Sequence, residues 1–289
     1  MSSVVSQPPP TPLETVTRTA LLGVRFFDRV SGQLIADGLQ VVETTTGTAA
    51  TVGPSGVFAV HDLPGLRASS FGAGDDAFWS SPPVQESFVF QLTDTQGRFL
   101  PFVFPADVPV QGLFEDDCGV ATSPPDATTG SVPLFSTPSR VAPAGIAAIR
   151  ADLKDAETGA GAAWAVLEVS LNGAPVYRGV ADADGRAAVF LPYPKPPWHA
   201  SPPPGSRALS DQTWPVTVTA QYAGAAASPP FPDPTSGEPP DLCAVLTQPA
   251  GTLLASTSPD APLGSQTLVF GRELVLRTGD GPDLLVLSA

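Results

Sequence analysis

Lysine is nearly absent from this chain. Only Lys154 and Lys195 occur in 289 residues, and the 14 Lys and Arg together face 28 Asp and Glu, for a formal charge of −14. Such a chain repels a phosphate backbone, so nucleic-acid binding is not expected. An acidic, solvated surface accounts for the charge. No apolar run approaches the ~20 residues of a transmembrane helix, so no membrane span is expected. The first ten residues contain neither a basic nor an apolar segment, and no secretory signal is read there. Histidine is limited to His61 and His199 and cysteine to Cys118 and Cys243, 125 positions apart. A disulfide between the two is conceivable, but a reducing cytosol favours free thiols.

These scarcities bear on catalysis. No Gly-x-Ser-x-Gly elbow, Cys-x-x-Cys, His-x-x-x-His or His-Glu-x-x-His occurs, and no phosphate loop or dinucleotide fingerprint is present. His61 precedes Asp62 at the end of an expected strand, where a surface or capping role suits it. The acidic clusters Asp75-Asp76, Glu115-Asp116-Asp117 and Asp182/Asp184 are the residues that calcium would use. Asp also favours turns because its side chain bonds nearby amides, which explains them without a metal. Tyr193 and His199 lack the spacing of a non-haem iron site. The chain is therefore read as non-enzymatic, with no catalytic residues, metal or cofactor.

What is abundant is proline, with 35 residues, and glycine, with 27. Proline fixes φ and removes a donor, so it stays out of helices and central strands. Spread over a chain that is 42% hydrophobic, it implies many short strands joined by rigid turns, an all-β fold. Residues 1–16 read as a flexible proline-rich arm. Strands follow at 20–27, 34–42 and 57–60, behind turns such as Gly53-Pro54-Ser55-Gly56. Residues 88–92 and 98–104 flank Asp94-Thr95-Gln96-Gly97 as a hairpin. The loop 67–83 carries Phe71, Phe78 and Trp79, either to cover the end of a domain or to meet a partner.

Residues 114–140 read as a linker. Beyond it the texture repeats, with strands at 146–153, 164–171 and 187–191 and turn signals at Asp155 to Gly159, Asn172-Gly173 and Asp182 to Arg186. Phe27 to Gly32 matches Lys154 to Gly159, Pro54 to Val60 matches Ala183 to Val189, and Leu63-Pro64 matches Leu191-Pro192. The chain is thus expected to hold two tandem β-sandwich domains of one kind, at 17–113 and 141–222. The second carries a proline-rich loop at 193–210, where Trp198 serves either a partner or its own domain. A linker at 223–240 leads to a C-terminal β segment, 241–289, that either completes the second domain or forms a docking arm.

Each module resembles the carboxypeptidase regulatory-like domain, a transthyretin-like β-sandwich. Asp155 to Gly159, Asn172-Gly173 and Gly179 to Arg186 carry the likeness in the second copy, and Asp28 to Gly32 and Pro54 to Val60 in the first. The family's Thr-Asp before the glycine turn is Ala181-Asp182 here, and the first copy lacks the Asp. The resemblance implies a non-catalytic scaffold. Residues 94–101, 132–140, 163–169 and 190–194 are also similar to uncharacterised proteins encoded with extracellular contractile injection systems. That likeness implies a structural or adaptor subunit of a phage-tail-like particle, at the baseplate or another particle end. Its partners would be tube, sheath or baseplate proteins, and it would assemble in the cytoplasm and leave as part of the particle. Phe78, Trp79 and Trp198 are the candidate partner contacts. The alternative is a carbohydrate-binding or adhesive module that stacks Trp79 and Trp198 on sugar.

Overall fold

The computed structural model of the chain describes residues 18–71, 76–81, 84–115, 118, 131–171, 176–194, 211–224, 227 and 230–288. They are all-β, with short helices between strands. The first part contains β1 (Leu22–Val24), β2 (Phe26–Asp28), β3 (Leu34–Ile35), β4 (Leu39–Glu43), β5 (Thr51–Val52) and β6 (Phe58–Val60). The helices α1 (Arg67–Ser70) and α2 (Asp76–Trp79) follow, then β7 (Glu86–Asp94), β8 (Phe102–Val108) and β9 (Val132–Leu134). The second part contains β10 (Ile146–Asp155), β11 (Val166–Leu171), β12 (Val176–Val180), β13 (Arg186–Pro192) and β14 (Thr213–Gln221). After helix α3 (Leu242–Leu246) come β15 (Ala250–Thr257), β16 (Asp260–Pro262), β17 (Gln266–Val269), β18 (Leu274–Val275) and β19 (Leu284–Leu287).

Strand composition follows burial. Along β8, Phe102, Phe104, Ala106 and Val108 point inward and alternate with more exposed residues, the period of two of a strand with one wet face. The run Ala187 to Leu191 in β13 is buried throughout. One of its faces lines the second core, and the other packs Ala188 and Phe190 against Ala148 of β10 in a small third cluster. A strand covered on both faces reads as a continuous apolar run.

The same pairing occurs twice. In the first part Leu22 faces Val60 and Val24 faces Phe58; in the second Ile149 faces Val189 and Ala151 faces Ala187. Val41 faces Leu92 between β4 and β7, as Leu167 faces Ala220 between β11 and β14. In each part the last strand runs parallel to an early one, β9 beside β2 and β19 beside β10. Phe26 lies beside Val132 and Asp28 beside Leu134; Leu153 lies beside Leu284 and Asp155 beside Val286.

The turns repeat as well. The Gly32 N–H donates to the Asp28 carbonyl and the Gly159 N–H to the Asp155 carbonyl, each at 2.8 Å, with φ of +69° and +72°. In both loops the aspartate carboxylate accepts backbone N–H groups of the turn. Val30 reaches Asp28 at 2.9 Å; Glu157 and Thr158 reach Asp155 at 2.9 and 2.8 Å. Gly185, in the turn before β13, has φ +84°, and a Cβ there would collide with the Leu153 carbonyl, so only glycine fits.

Two expectations are corrected, and residues 241–289, for which two readings stood, fall between them. Residues 114–140 are not simply a linker. Among them, Phe114 bridges to Val24, β9 pairs with β2, and Val132, Leu134 and Phe135 are buried in the first core. Their brevity and Pro133 hide the strand. Cys118 and Cys243 are not free thiols but form a disulfide. The segment after 240 is also divided between the two parts. β15 and β17 pair with β14, and β18 and β19 with β10, so the final strands belong to the second part. Residues 240–246 instead return to the first. The Val103 N–H donates to the Pro240 carbonyl at 2.9 Å, and Leu242, Val245 and Leu246 of α3 lie in the first core.

The buried turn carboxylates predict an acid-labile fold. Burial raises the pKa of Asp28 and of Asp155, but the hydrogen bonds each accepts outweigh it, and both titrate below the usual 3.8. A depressed carboxylate contributes its stability in full above the unfolded value and loses it as pH falls through the folded one. Asp155→Asn should lower the unfolding free energy by about 1–3 kcal/mol at pH 7. In urea melts across pH, that gap should close as pH falls below 3.8.

Candidate functional site

The residues singled out in the sequence do not converge. Phe78 and Trp79 lie on α2, half-buried, with rings edge to face at 4.9 Å. Trp198 and His199 lie outside the described residues. The His61 ring sits at the end of β6 with Nδ1 3.3 Å from the Thr19 carbonyl. Its neighbour Asp62 pairs with Arg18 at 2.7 Å across a half-exposed contact that is worth little. Asp182 and Asp184 both engage Arg186, at 3.0 and 2.5 Å. Among the described residues, no group of three or more His, Cys, Asp or Glu is placed to hold a metal ion. No helix among them is long and apolar enough to cross a membrane.

What the fold does bring together is the junction between the two parts. Asp28, at the end of β2 and 1% exposed, takes a two-pronged contact from Arg140. Nη1 donates to Oδ1 at 3.0 Å and Nη2 to Oδ2 at 2.7 Å, while Nη1 also donates to Ser136 Oγ at 2.8 Å. The same guanidinium lies over the Phe99 ring at 5.0 Å. Arg140 passes the connection on: its carbonyl accepts from Arg150 Nη2 at 2.7 Å. Arg150, on β10, also donates to the Pro138 carbonyl, pairs with Glu273 at 2.9 Å and lies over Phe190. Planar, forked guanidinium groups suit this combined pairing and stacking.

A second contact runs alongside. Arg29 lies over Phe135 at 5.3 Å. Its pKa is lowered to about 10, chiefly by burial and then by the charge of Arg178, against the pull of Glu168. Arg178 and Glu168 pair at 2.6 Å. A groove of about 580 Å³ opens beside the junction, lined by Thr137, Ser139, Arg150, Asp152, Asp182 and Arg186. The arginines in it already face carboxylates, and with Asp152, Asp182 and Glu273 against Arg150 and Arg186 its lining carries a slight acidic excess.

Trp164 fixes the apolar side of the junction. Counting back three residues from the equivalent Val41 and Leu167, it stands where the first part has Gly38. Both are left-handed, with φ of +63° and +71°. A non-glycine residue in that conformation costs about 1–3 kcal/mol. The indole, 6% exposed, is buried among the side chains of the first core with Val166, Val180, Leu242 and Val245, which offsets the strain. Nothing in the sequence marks Trp164 as left-handed, and α3 reads as one more short apolar run.

Comparison with protein-family models, curated proteins and solved structures finds no match.

A further aromatic group lies away from the junction. Tyr193, Trp214 and Phe270 pack with ring centroids 4.7–6.4 Å apart, and Tyr193 Oη accepts the Gly271 N–H at 3.0 Å. All three are half-buried.

Removing the guanidinium from the junction strands a carboxylate with almost no access to water. Arg140→Ala should destabilise the chain by about 3–5 kcal/mol. Adding Asp28→Asn should recover part of the loss, giving a coupling energy of at least about 1 kcal/mol in a double-mutant cycle read by urea unfolding.

Proposed function

We propose that this chain is a non-catalytic structural or adaptor subunit, made of two transthyretin-like β-sandwich modules fused into one rigid body. It would serve in a phage-tail-like contractile injection particle, at the baseplate or another particle end. The observation that carries the rigid-body reading is the return of α3 from the second module into the first core. Two modules on a free linker would reorient, as small inter-domain interfaces allow. A plug into the first core, with an ion pair that ties the connection to β2, would hold them at a set angle, as a spacer between neighbours requires.

Support for the particle reading lies in where the four similar segments fall. Residues 94–101 supply Phe99 and Leu100, 132–140 supply β9, Phe135 and Arg140, 163–169 supply Trp164 and Glu168, and 190–194 supply Phe190. Each contributes to the junction, which on the particle reading would set the angle between the modules. The partners would be tube, sheath or baseplate proteins, with Phe78 and Trp79 on α2 as one contact, and no cofactor is required. The cluster of Tyr193, Trp214 and Phe270 favours a second reading, a carbohydrate-binding module, since ring faces stack on sugars.

A pull-down of the tagged chain from its native host, with mass spectrometry and negative-stain imaging, separates these readings. Sheath and tube proteins in fixed ratio, with rod-shaped particles in the eluate, are the expected result. A lone chain that binds glycans and loses binding on Trp214→Ala would favour the second reading instead.

A further inference from the structure

The disulfide sits at a point where it controls one element rather than the whole fold. Cys243 is the second residue of α3, and Cys118 is half-buried and packs against the first core. The other ties on α3 are non-covalent. Asp241 caps it, its Oδ1 accepting the Ala244 N–H at 2.8 Å. The Pro240 carbonyl accepts the Val103 N–H, and Leu242, Val245 and Leu246 are buried in the first core, the first two beside Leu100, Phe102, Trp164 and Val180. A five-residue helix has little stability of its own, because nucleation is costly and few hydrogen bonds offset it. The sheets on either side do not depend on the bond. β4, β7 and β8 are laced together upstream, and β11, β14 and β15 downstream.

We propose that Cys118–Cys243 is a redox latch on the α3 plug. In a reducing compartment both cysteines are thiols and the docked α3 opens locally more often. On transfer to an oxidising one the bond forms and holds it shut. The chemistry is thiol–disulfide exchange with a small-molecule disulfide such as oxidised glutathione. One cysteine thiolate attacks it, forming a mixed disulfide and releasing one reduced thiol. The second cysteine then attacks the mixed disulfide, closing Cys118–Cys243 and releasing another. Two protein thiols are oxidised and one oxidant disulfide is reduced to two thiols. With both sheets still folded, the bond tethers Cys243 of α3 to Cys118 beside the first core, which limits how far α3 can leave and favours the docked state. The latch does not depend on which assembly the chain serves.

Hydrogen exchange by mass spectrometry on the full chain tests this, comparing protein reduced with dithiothreitol and protein oxidised with oxidised glutathione. Amides of α3 and its C-cap, Val245 and Thr247 among them, should exchange at least about tenfold faster in the reduced state. Amides of β11 and β14 should be unchanged. The double variant Cys118→Ser/Cys243→Ser should match the reduced protein under both conditions. Three results would overturn the latch: no bond forms with the oxidant, α3 exchange is the same in both states, or reduction raises exchange throughout both cores, which would make the bond a general staple.

Discussion

The architecture turns on one crossing. Between β14 and β15 the chain leaves the second part, sets Pro240 beside β8, plugs the first core with Leu242, Val245 and Leu246, and returns to pair with β14. The first core is therefore incomplete until the chain has reached residue 246. Burying three such side chains contributes roughly 1.5–3 kcal/mol each, a large share of the marginal stability of a domain. Withdrawing the plug would also expose Trp164, whose left-handed backbone is tolerated only because the indole is buried. The crossing, the indole and the Asp28–Arg140 pair thus support one another.

The repeated register makes the differences between the two parts informative. The turn aspartates are equivalent, yet they are satisfied differently. Tyr222 of the same part donates to Asp155 at 3.0 Å, whereas Asp28 takes its strong partner from Arg140, beyond β9. That substitution pins the connection between the parts. At the position equivalent to Gly38, a tryptophan reaches across. Burial at β11 follows the same logic: Val166 and Leu167 are both buried, one toward each core, while the matching Gln40 is exposed and Val41 buried. A few residue changes convert a free module into a docked one.

The sequence was legible where the physics is local. Aspartate followed by a left-handed glycine makes a turn within five residues, so Asp28 to Gly32 and Asp155 to Gly159 stand out, and the alternation in β8 needs no distant partner. What stayed hidden depends on long-range contacts. β9 is three residues long and contains a proline, tolerated because parallel pairing with β2 uses few of its amides. Leu242-Cys243-Ala244-Val245-Leu246 has no helical period over so short a span. The disulfide joins residues 125 apart, and the expectation of a reducing cytosol argued against it. Nothing local marks the junction arginines; their stacking on Phe99, Phe135 and Phe190 exists only once segments far apart in sequence meet. Of the candidate contact residues, Phe78 and Trp79 pack on each other in α2 rather than joining the junction.

Interlacing is the central claim, and cooperativity of unfolding tests it most directly. Urea unfolding of the full chain, followed by hydrogen exchange in β4 and β7 for the first core and in β11 and β14 for the second, should give coincident midpoints. Leu246→Ala should shift both together by about 2–5 kcal/mol. Two separate transitions, with Leu246→Ala moving only the first, would mean that the parts fold independently and that α3 is only a local contact.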